Sequence, residues 1–290
     1  MCRNRTLTRI AASIGLALWL HPSALAQSPA KPPTRIISLI PATTEMLFAV
    51  GAGDRVVGVG SFDRFPPEVE RIQRVGALLD PDVERILALR PDLVVVYRSQ
   101  TDLLAQLARA QIPAFVYAHA GLADVTTTIR ELGVRVGAGD RANTLAADIE
   151  RRIDATRKRY AAGRRPKTLV VMGRDALALR GIYASGGIGF IHDMLAAAGG
   201  DDVFADEKRQ AVQATTELII ARAPEVILEL RADPIDAATE ARELRVWEAL
   251  ASVPAIRNRR VHIIADPRTV IPGPRVAEAV EVLARALHAR

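Results

Sequence analysis

The sequence ERILALRPDLVV at residues 84–95 is repeated in outline as ELIIARAPEVIL at residues 217–228. Each stretch has a glutamate, an apolar run, a proline seven residues after the glutamate, an acidic residue and then β-branched residues. Because proline stops a helix, each stretch predicts a helix followed by a strand. The two copies begin 133 residues apart, a period too long for a solenoid. The repeat therefore indicates two similar lobes, and a cleft between lobes suits a small molecule.

Strands and helices alternate with short connections around both copies, which predicts layered α/β lobes. For the helix at 45–50, Thr43 or Thr44 is a candidate cap, and Glu45 falls in the first turn. The predicted strands are residues 35–40, 56–59, 93–97, 114–117, 168–172, 226–230 and 261–264, and the predicted helices are residues 45–50, 82–89, 101–110, 190–198, 217–223, 246–252 and 275–289.

A single long helix is predicted between the two halves. Residues 140–162 contain no Gly or Pro and are rich in Ala, Arg and Glu, which favour helix. Twenty-three residues of helix span roughly 35 Å, the height of a small domain. We therefore expect a connecting backbone helix at 140–163 between an N-terminal lobe at 35–139 and a C-terminal lobe at 164–290. Such a strut predicts limited hinge motion.

The N-terminus has the pattern of a cleavable secretory signal at residues 1–26. A basic segment precedes an 11-residue apolar run at 10–20, which is short for a membrane span, and Ala24-Leu25-Ala26 fits the cleavage rule. An uncleaved anchor is the alternative. We expect Gln27 to begin the mature chain and the Pro-rich residues 27–34 to be a flexible lead-in.

Composition narrows the function class. The only cysteine is Cys2, so no lipid-attachment motif follows the apolar run and the mature chain has no disulfide. Three arginines leave with the signal, which lowers the net charge from +6 to +3. No dense basic run with interleaved aromatic residues remains, which argues against nucleic-acid binding. We expect an exported, soluble monomer.

Catalytic motifs are absent from the sequence. There is no Gly-x-Ser-x-Gly elbow and no phosphate-binding loop ending in Gly-Lys-Ser/Thr. The glycine-rich residues 185–189 either approach an anion or form a plain tight turn. His119, His192 and His262 form no His-x-x-x-His pair, although His119 follows a strand and is well placed for a ligand. A transition-metal receptor needs three or four converging ligands.

Several spaced motifs resemble one family. Residues 38–45 read SLIPATTE, followed by Gly58-Val59, by Pro66-Pro67 and by the block at 84–94. The order of these motifs resembles that of one family of periplasmic substrate-binding proteins of ABC transporters. Members of this family have a helical backbone and serve the uptake of vitamin B12, haem and iron-siderophores. The likeness is greatest to the vitamin-B12-binding members.

The resemblance implies two Rossmann-like three-layer α/β lobes joined by one long backbone helix, with the ligand between them. It implies binding without catalysis and without a cofactor of the protein's own. The implied partner is the permease dimer of an ABC importer in the inner membrane. In the family, one glutamate on each lobe docks onto permease arginines, and the matching residues are Glu84 and Glu217. The alternative is that each glutamate only complements a helix N-terminus.

The resemblance also implies ligand contacts from loops at strand ends, as in other open α/β sheets. Asp266 and Arg268 lie where the family places polar contacts. We expect no metal ligands and no catalytic residues. The expected cleft-lining residues are Ala42, Phe65, Leu78, Tyr183, Asp266 and Arg268.

Two departures from the family bear on the ligand. The vitamin-B12 binder has a tryptophan six residues before each docking glutamate, where this chain has Leu78 and Ala211. Haem binders have a tyrosine ligand where this chain has Ala77. Phe62, Phe65, Tyr97, Tyr117 and Tyr183 are the aromatic residues that can line other loops. Cobalamin is the first expectation for the ligand, haem or an iron-siderophore the second, and zinc or manganese the third.

Overall fold

A five-stranded parallel sheet forms the N-terminal lobe, in the order β3-β2-β1-β4-β5. The central strands are buried on both faces, as expected for a parallel sheet between helical layers. Its elements are β1 (Ile36–Ser38), α1 (Pro41–Ala49), β2 (Val56–Val59), β3 (Gln73–Arg74), α2 (Val83–Ala88), β4 (Leu93–Tyr97), α3 (Thr101–Arg109), β5 (Ala114–Tyr117) and α4 (Ala123–Arg135).

The C-terminal lobe has a mixed sheet in the order β11-β10-β6-β7-β9, with β8 paired to β6. The strand β7 is antiparallel to both of its neighbours. The elements are β6 (Lys167–Gly173), β7 (Ile182–Ser185), α6 (Phe190–Ala197), β8 (Asp201–Asp202), β9 (Ala211–Ala214), α7 (Thr216–Arg222), β10 (Val226–Arg231), α8 (Ala237–Arg245), α9 (Pro254–Arg257), β11 (Val261–Ala265) and α10 (Val276–His288). The lobes are joined by α5 (Gly139–Ala161), a 23-residue helix.

One hydrophobic core runs through both lobes. It includes Met46 of α1, Ile149 of α5, Met194 of α6 and Leu283 of α10. Separate cores cover the outer face of each sheet, one in the N-terminal lobe and one in the C-terminal lobe. The long helix is therefore part of the shared core, which limits how far the lobes can move independently.

This computed structural model describes residues 31–289, so the predicted signal peptide at 1–26 and residues 27–30 lie outside it. Thr34, the last residue of the lead-in that was predicted to be flexible, is held by hydrogen bonds. Thr34 donates from its main-chain N–H and its hydroxyl to the Asp92 carboxylate, each at 2.8 Å. Pro32–Arg290 forms one compact unit. Among the described residues, no helix is long and apolar enough to cross a membrane.

Three local expectations were wrong or incomplete. The first helix begins at Pro41 after Ile40, so Thr43 and Thr44 are buried inside it and do not cap it. The helix α4 was not predicted, because its run of three threonines has low helix propensity. The hydroxyls of Thr126 and Thr127 bond back to the carbonyl of Ala123. The strands β7 and β9, which contain polar as well as apolar residues, were also not predicted.

Candidate ligand cleft and docking helices

An ion pair joins the two lobes at the carboxyl-terminal edges of their sheets. Arg275, after β11, donates from Nε and Nη2 to the two carboxylate oxygens of Glu45 in α1, at 2.9 and 2.6 Å. The Glu45 side chain is 2% exposed, and burial raises the pKa of its carboxyl while the Arg275 hydrogen bond opposes that rise. The two-point geometry is the strong form of arginine–carboxylate pairing.

The same guanidinium lies over an aromatic ring of the N-terminal lobe. The Arg275 guanidinium carbon is 3.9 Å from the ring centroid of Phe65, a cation–π contact. Phe65 and Arg275 line a cavity of about 690 Å³ together with Arg268, Glu68 and Pro274. We call this the interlobe cavity, because α1 and the Phe65 loop line it from the N-terminal lobe and the segment after β11, including the start of α10, lines it from the C-terminal lobe. Leu145 of the connecting helix α5 also lines it.

Two predicted polar residues, Asp266 and Arg268, are held together beside the interlobe cavity. Arg268 donates to both oxygens of Asp266, at 2.9 and 2.6 Å, and to Glu278 at 2.8 Å. The arginine lowers the pKa of the Asp266 carboxyl, and the two acids raise the pKa of Arg268. The Arg268 side chain is one-third exposed, so it is accessible to a bound molecule while it stays paired with both acids.

A second cavity, of about 410 Å³, lies at the carboxyl ends of β6 and β10. Its floor is a buried charge network that sequence reasoning missed. Arg174 pairs with Glu229 at 3.0 Å and with Glu243 at 2.7 Å, and all three side chains are at most 3% exposed. Trp247 donates to Glu229 at 3.2 Å, and Arg231 completes the network at the surface. The network fixes this edge of the C-terminal lobe.

A buried carboxylate lies in the loop after β2. Asp63 is 0% exposed, and neither of its oxygens has a hydrogen-bond partner within ordinary distance among the described residues. Burial raises its pKa to about 6. The nearby Thr44 hydroxyl and the positive charge of Arg74 oppose that rise in pKa. Among the described residues, the Thr44 hydroxyl itself has no hydrogen-bond partner within ordinary distance. The loop that carries Phe62 and Phe65 therefore contains a carboxylate whose burial is energetically unfavourable.

Apolar side chains are exposed on both lobes at the same edges. Phe62 and Leu79 follow strands of the N-terminal sheet and are 68% and 94% exposed. Leu177 and Tyr183 lie in and beside the loop after β6, and each is 52% exposed. Exposed apolar groups around a concave region are typical of ligand-binding or partner-binding surfaces.

The six residues predicted to line the cleft lie in different environments in the structure. Phe65 and Arg268 line the interlobe cavity, and Asp266 is bonded to Arg268. Tyr183 is exposed on β7 opposite Gly173, and the carbonyl of Leu78 accepts a hydrogen bond from Gln100 at 3.0 Å. Ala42 is 2% exposed in the shared core, so its side chain offers no surface to a ligand. The physical reason is that α1 begins at Pro41, which turns Ala42 inward.

The paired glutamates occupy equivalent places on two short helices. Asp82 caps α2 by accepting from the N–H of Arg85, and Thr215 caps α7 by accepting from the N–H of Leu218. Glu84 and Glu217 are each the second residue after the cap, and both are exposed. The Glu217 main-chain N–H, with the Thr215 hydroxyl, lowers the pKa of the Glu217 carboxyl.

The two helices, α2 and α7, also occupy equivalent places in the fold. Each follows an edge strand of its sheet, β3 in the N-terminal lobe and β9 in the C-terminal lobe. The arginine within each helix pairs with a different acid, Arg85 with Asp82 and Arg222 with Asp206. In the described part of the chain, neither glutamate is in an ion pair. Both carboxylates are therefore available to an external cation.

The aromatic residues after β4 and β5 cluster with a histidine. The ring centroids of Tyr97 and His119 are 6.1 Å apart, and those of Tyr117 and His119 are 5.6 Å apart. Phe190 of the C-terminal lobe reaches the same histidine at 6.4 Å. Burial lowers the pKa of His119. Within residues 31–289, no group of three or more His, Cys, Asp or Glu side chains is arranged to hold a metal ion.

Comparison with known proteins places the chain among transport receptors. The family model described as "Periplasmic binding protein" matches residues 36–267. The vitamin B12-binding protein of Yersinia pestis is 29% identical over 202 residues, which cover 69% of this chain and 70% of that protein.

Two solved structures have the same fold. The periplasmic haem-binding protein of Roseiflexus sp. RS-1 in its apo form is 30% identical, with a TM-score of 0.75, and the match covers 88% of this chain and 97% of that one. The periplasmic vitamin B12 binding protein of Vibrio cholerae is 24% identical, with the same coverage and TM-score, and supports the fold alone. The chain belongs to the periplasmic binding protein family, whose members carry substrates to ABC importers and are not enzymes.

Proposed function

We propose that this protein binds cobalamin in the periplasm and delivers it to an ABC importer. The observation that carries the delivery role is the matched pair Glu84 and Glu217. Each is exposed, lies two residues after a helix cap and has no ion pair among the residues that the structure describes. The ligand assignment is supported by the alignment with the vitamin B12-binding protein of Yersinia pestis over 69% of the chain.

The interlobe cavity offers the chemistry that a corrinoid requires. Cobalamin has an apolar macrocycle face, a periphery of carboxamides and one phosphate. The ring of Phe65 and the exposed apolar side chains at the two sheet edges can cover the macrocycle. Arg268 and Arg275 can donate hydrogen bonds to amide and phosphate oxygens. We propose that these residues, with Asp266, Leu78 and Tyr183, replace the missing tryptophan pair.

Haem is the second candidate, and a specific observation favours it. The haem-binding protein of Roseiflexus sp. RS-1 is 30% identical over nearly its whole length. In this chain, Tyr97 at the end of β4 and His119 after β5 have their rings beside each other. Nδ1 of His119 is buried, and no described residue hydrogen-bonds to it. Either side chain can supply an iron ligand in place of the tyrosine missing at Ala77. An iron-siderophore is the third ligand class, and no arrangement of the described side chains favours zinc or manganese.

We further propose that Glu84 and Glu217 each accept hydrogen bonds from arginines of a permease dimer. Charges at two separated points on one partner favour orientation and fast encounter more than affinity. Export would occur through cleavage after Ala26, which mass spectrometry of the secreted protein tests directly. Light scattering of the mature protein tests the proposed monomer.

Equilibrium dialysis of the mature protein against cyanocobalamin and, separately, against haemin tests the ligand assignment. We expect retention of cyanocobalamin at or below micromolar concentration. Retention of haemin alone would overturn the cobalamin assignment in favour of haem uptake. Retention of neither would exclude both tetrapyrrole-type ligands, and a ferric hydroxamate would be dialysed next. A variant with Val134→Ala, on the exposed face of α4, is the matched control that should bind as the parent does.

A further inference from the structure

The repeat extends beyond the glutamates to the apolar residue one helical turn later. Leu87 follows Glu84 by three residues, and Ile220 follows Glu217 by three residues. Leu87 is 38% exposed and Ile220 is 44% exposed, and both belong to the small set of large apolar side chains that the described residues leave in solvent. Residues three apart on a helix are neighbours on one face.

The other positions of the two helices explain why these side chains are outside. Ile86 and Ile219 occupy equivalent positions and are both 0% exposed, so each anchors its helix to its own lobe. A helix turns about 100° per residue, which directs the glutamate and the residue three positions later away from that anchor. Each lobe therefore buries one isoleucine of its helix and exposes a glutamate with an aliphatic residue three positions later.

Core packing does not require an aliphatic residue at either position. An exposed aliphatic residue alone is ordinary and needs no explanation. Here the same residue class is exposed at the same position of two helices that follow the edge strands of different sheets. Both positions adjoin a carboxylate that has no ion pair within the described chain, so a partner that engages one group will cover the other.

We propose that Leu87 and Ile220 form, with Glu84 and Glu217, two equivalent docking footprints for the permease dimer. This inference rests on the proposed delivery function and adds the chemistry of the partner surface. Each permease subunit would present an arginine beside a shallow apolar pocket, at two places related by the dimer axis. The carboxylates would set orientation, and the aliphatic side chains would add affinity that salt does not screen.

Site-specific photo-crosslinking in cells of the source organism tests the footprint. A benzophenone amino acid is introduced into the full chain at Leu87 or at Ile220, and the adducts are identified by mass spectrometry. We expect both positions to capture one and the same ABC permease subunit. Val134, which is 72% exposed on α4, is the control position and should capture none.

Separate positions distinguish failure of this inference from failure of docking. The same amino acid at Val83 and Thr216 lies beside each glutamate. Permease adducts from Val83 and Thr216 without adducts from Leu87 and Ile220 would overturn the apolar footprint and leave docking intact. No permease adduct from any of the four positions would overturn the proposed docking itself.

Binding to the captured permease gives a quantitative second test. Leu87→Ser with Ile220→Ser should weaken binding about tenfold for each site, since each aliphatic side chain buries its exposed part on docking. The steepness of the salt dependence should stay that of the parent. Glu84→Ala with Glu217→Ala should instead flatten the salt dependence. A serine double variant that binds as tightly as the parent would overturn the proposal.

Discussion

Glu45 and Arg275 are 230 residues apart in the sequence, yet Arg275 donates two hydrogen bonds to the Glu45 carboxylate across the lobes. The pair is unevenly buried, because the Glu45 side chain is 2% exposed and the Arg275 side chain is 20% exposed. Removal of the arginine therefore leaves a buried charge, whereas removal of the glutamate leaves a cation with access to water.

This asymmetry predicts unequal costs of substitution. Arg275→Met should lower the free energy of unfolding by about 3–5 kcal/mol, since it leaves Glu45 uncompensated. Glu45→Met should cost less, and the double variant should recover much of the loss because two apolar groups can replace the pair. Urea denaturation of the three variants measures these values. A loss below about 1 kcal/mol for Arg275→Met would show that the pair does not stabilise the fold.

Asp63 predicts an unusual dependence of stability on pH. Its folded pKa of about 6 lies above the ordinary 3.8, so the folded state holds the proton more tightly than the unfolded state. Stability should therefore fall as the pH rises from about 4 to about 6, by at most about 3 kcal/mol, and stay lower above that window. Asp63→Asn should remove this fall and raise stability at pH 7.5.

Urea denaturation between pH 4 and pH 8 measures the Asp63 effect. Asp54→Asn, at an exposed acid in the same lobe, is the matched control and should leave the pH profile as it is. If the profiles of the parent and of Asp63→Asn were parallel, the buried carboxylate would not be the source of the pH dependence.

The proposed docking role of Glu84 and Glu217 predicts that their substitution affects transport and leaves ligand binding unchanged. Glu84→Ala with Glu217→Ala should abolish ligand uptake by cells, because both attachment charges are gone, while ligand retention in dialysis stays that of the parent. Each single variant should retain part of the uptake. Uptake assays with radiolabelled ligand, beside dialysis of the same variants, measure the two effects. Normal uptake by the double variant would contradict the docking role.

If the ligand occupies the interlobe cavity, a substitution in either of its walls should weaken ligand binding. Phe65→Ala removes the ring under Arg275, and Arg268→Ala removes a donor that is one-third exposed. Each change should weaken cyanocobalamin retention about tenfold, the value of one lost buried contact or charged hydrogen bond. Calorimetric titration measures the affinity. If both variants bound as tightly as Val134→Ala, the ligand would lie elsewhere in the cleft.

Local patterns in the sequence predicted most of the fold. The strand β4, the helix α5 and the capped helices α2 and α7 have spacings that short windows reveal. The positions of Glu84 and Glu217 near the starts of these helices could be predicted for the same reason, whereas their docking role rests on the family resemblance and stays a prediction. In contrast, α4 was missed because its threonines favour other conformations and its helix is held by packing against α5.

The candidate site was less predictable because its contacts are long-range. The Glu45–Arg275 pair and the Arg174–Glu229–Glu243 network join residues that no short window contains. Glu45 looked like a first-turn acid, and the structure places it one turn deeper with a partner in the other lobe. Ala42 was expected to line the cleft, but α1 begins at Pro41, so Ala42 is in the first turn of that helix and its side chain faces the core.

The 23-residue helix α5 sets the distance between the two lobes. Its buried stripe, which includes Ala142, Ala146 and Ile149, is shared with the core of both lobes, so neither lobe can slide along it without losing packing. From this shared packing we expect the two outward-facing ends to keep a nearly constant spacing, whether the cleft is filled or empty. Any receiver that distinguishes the filled form must therefore sense something finer than that spacing, such as a small tilt of the ends or the ligand itself.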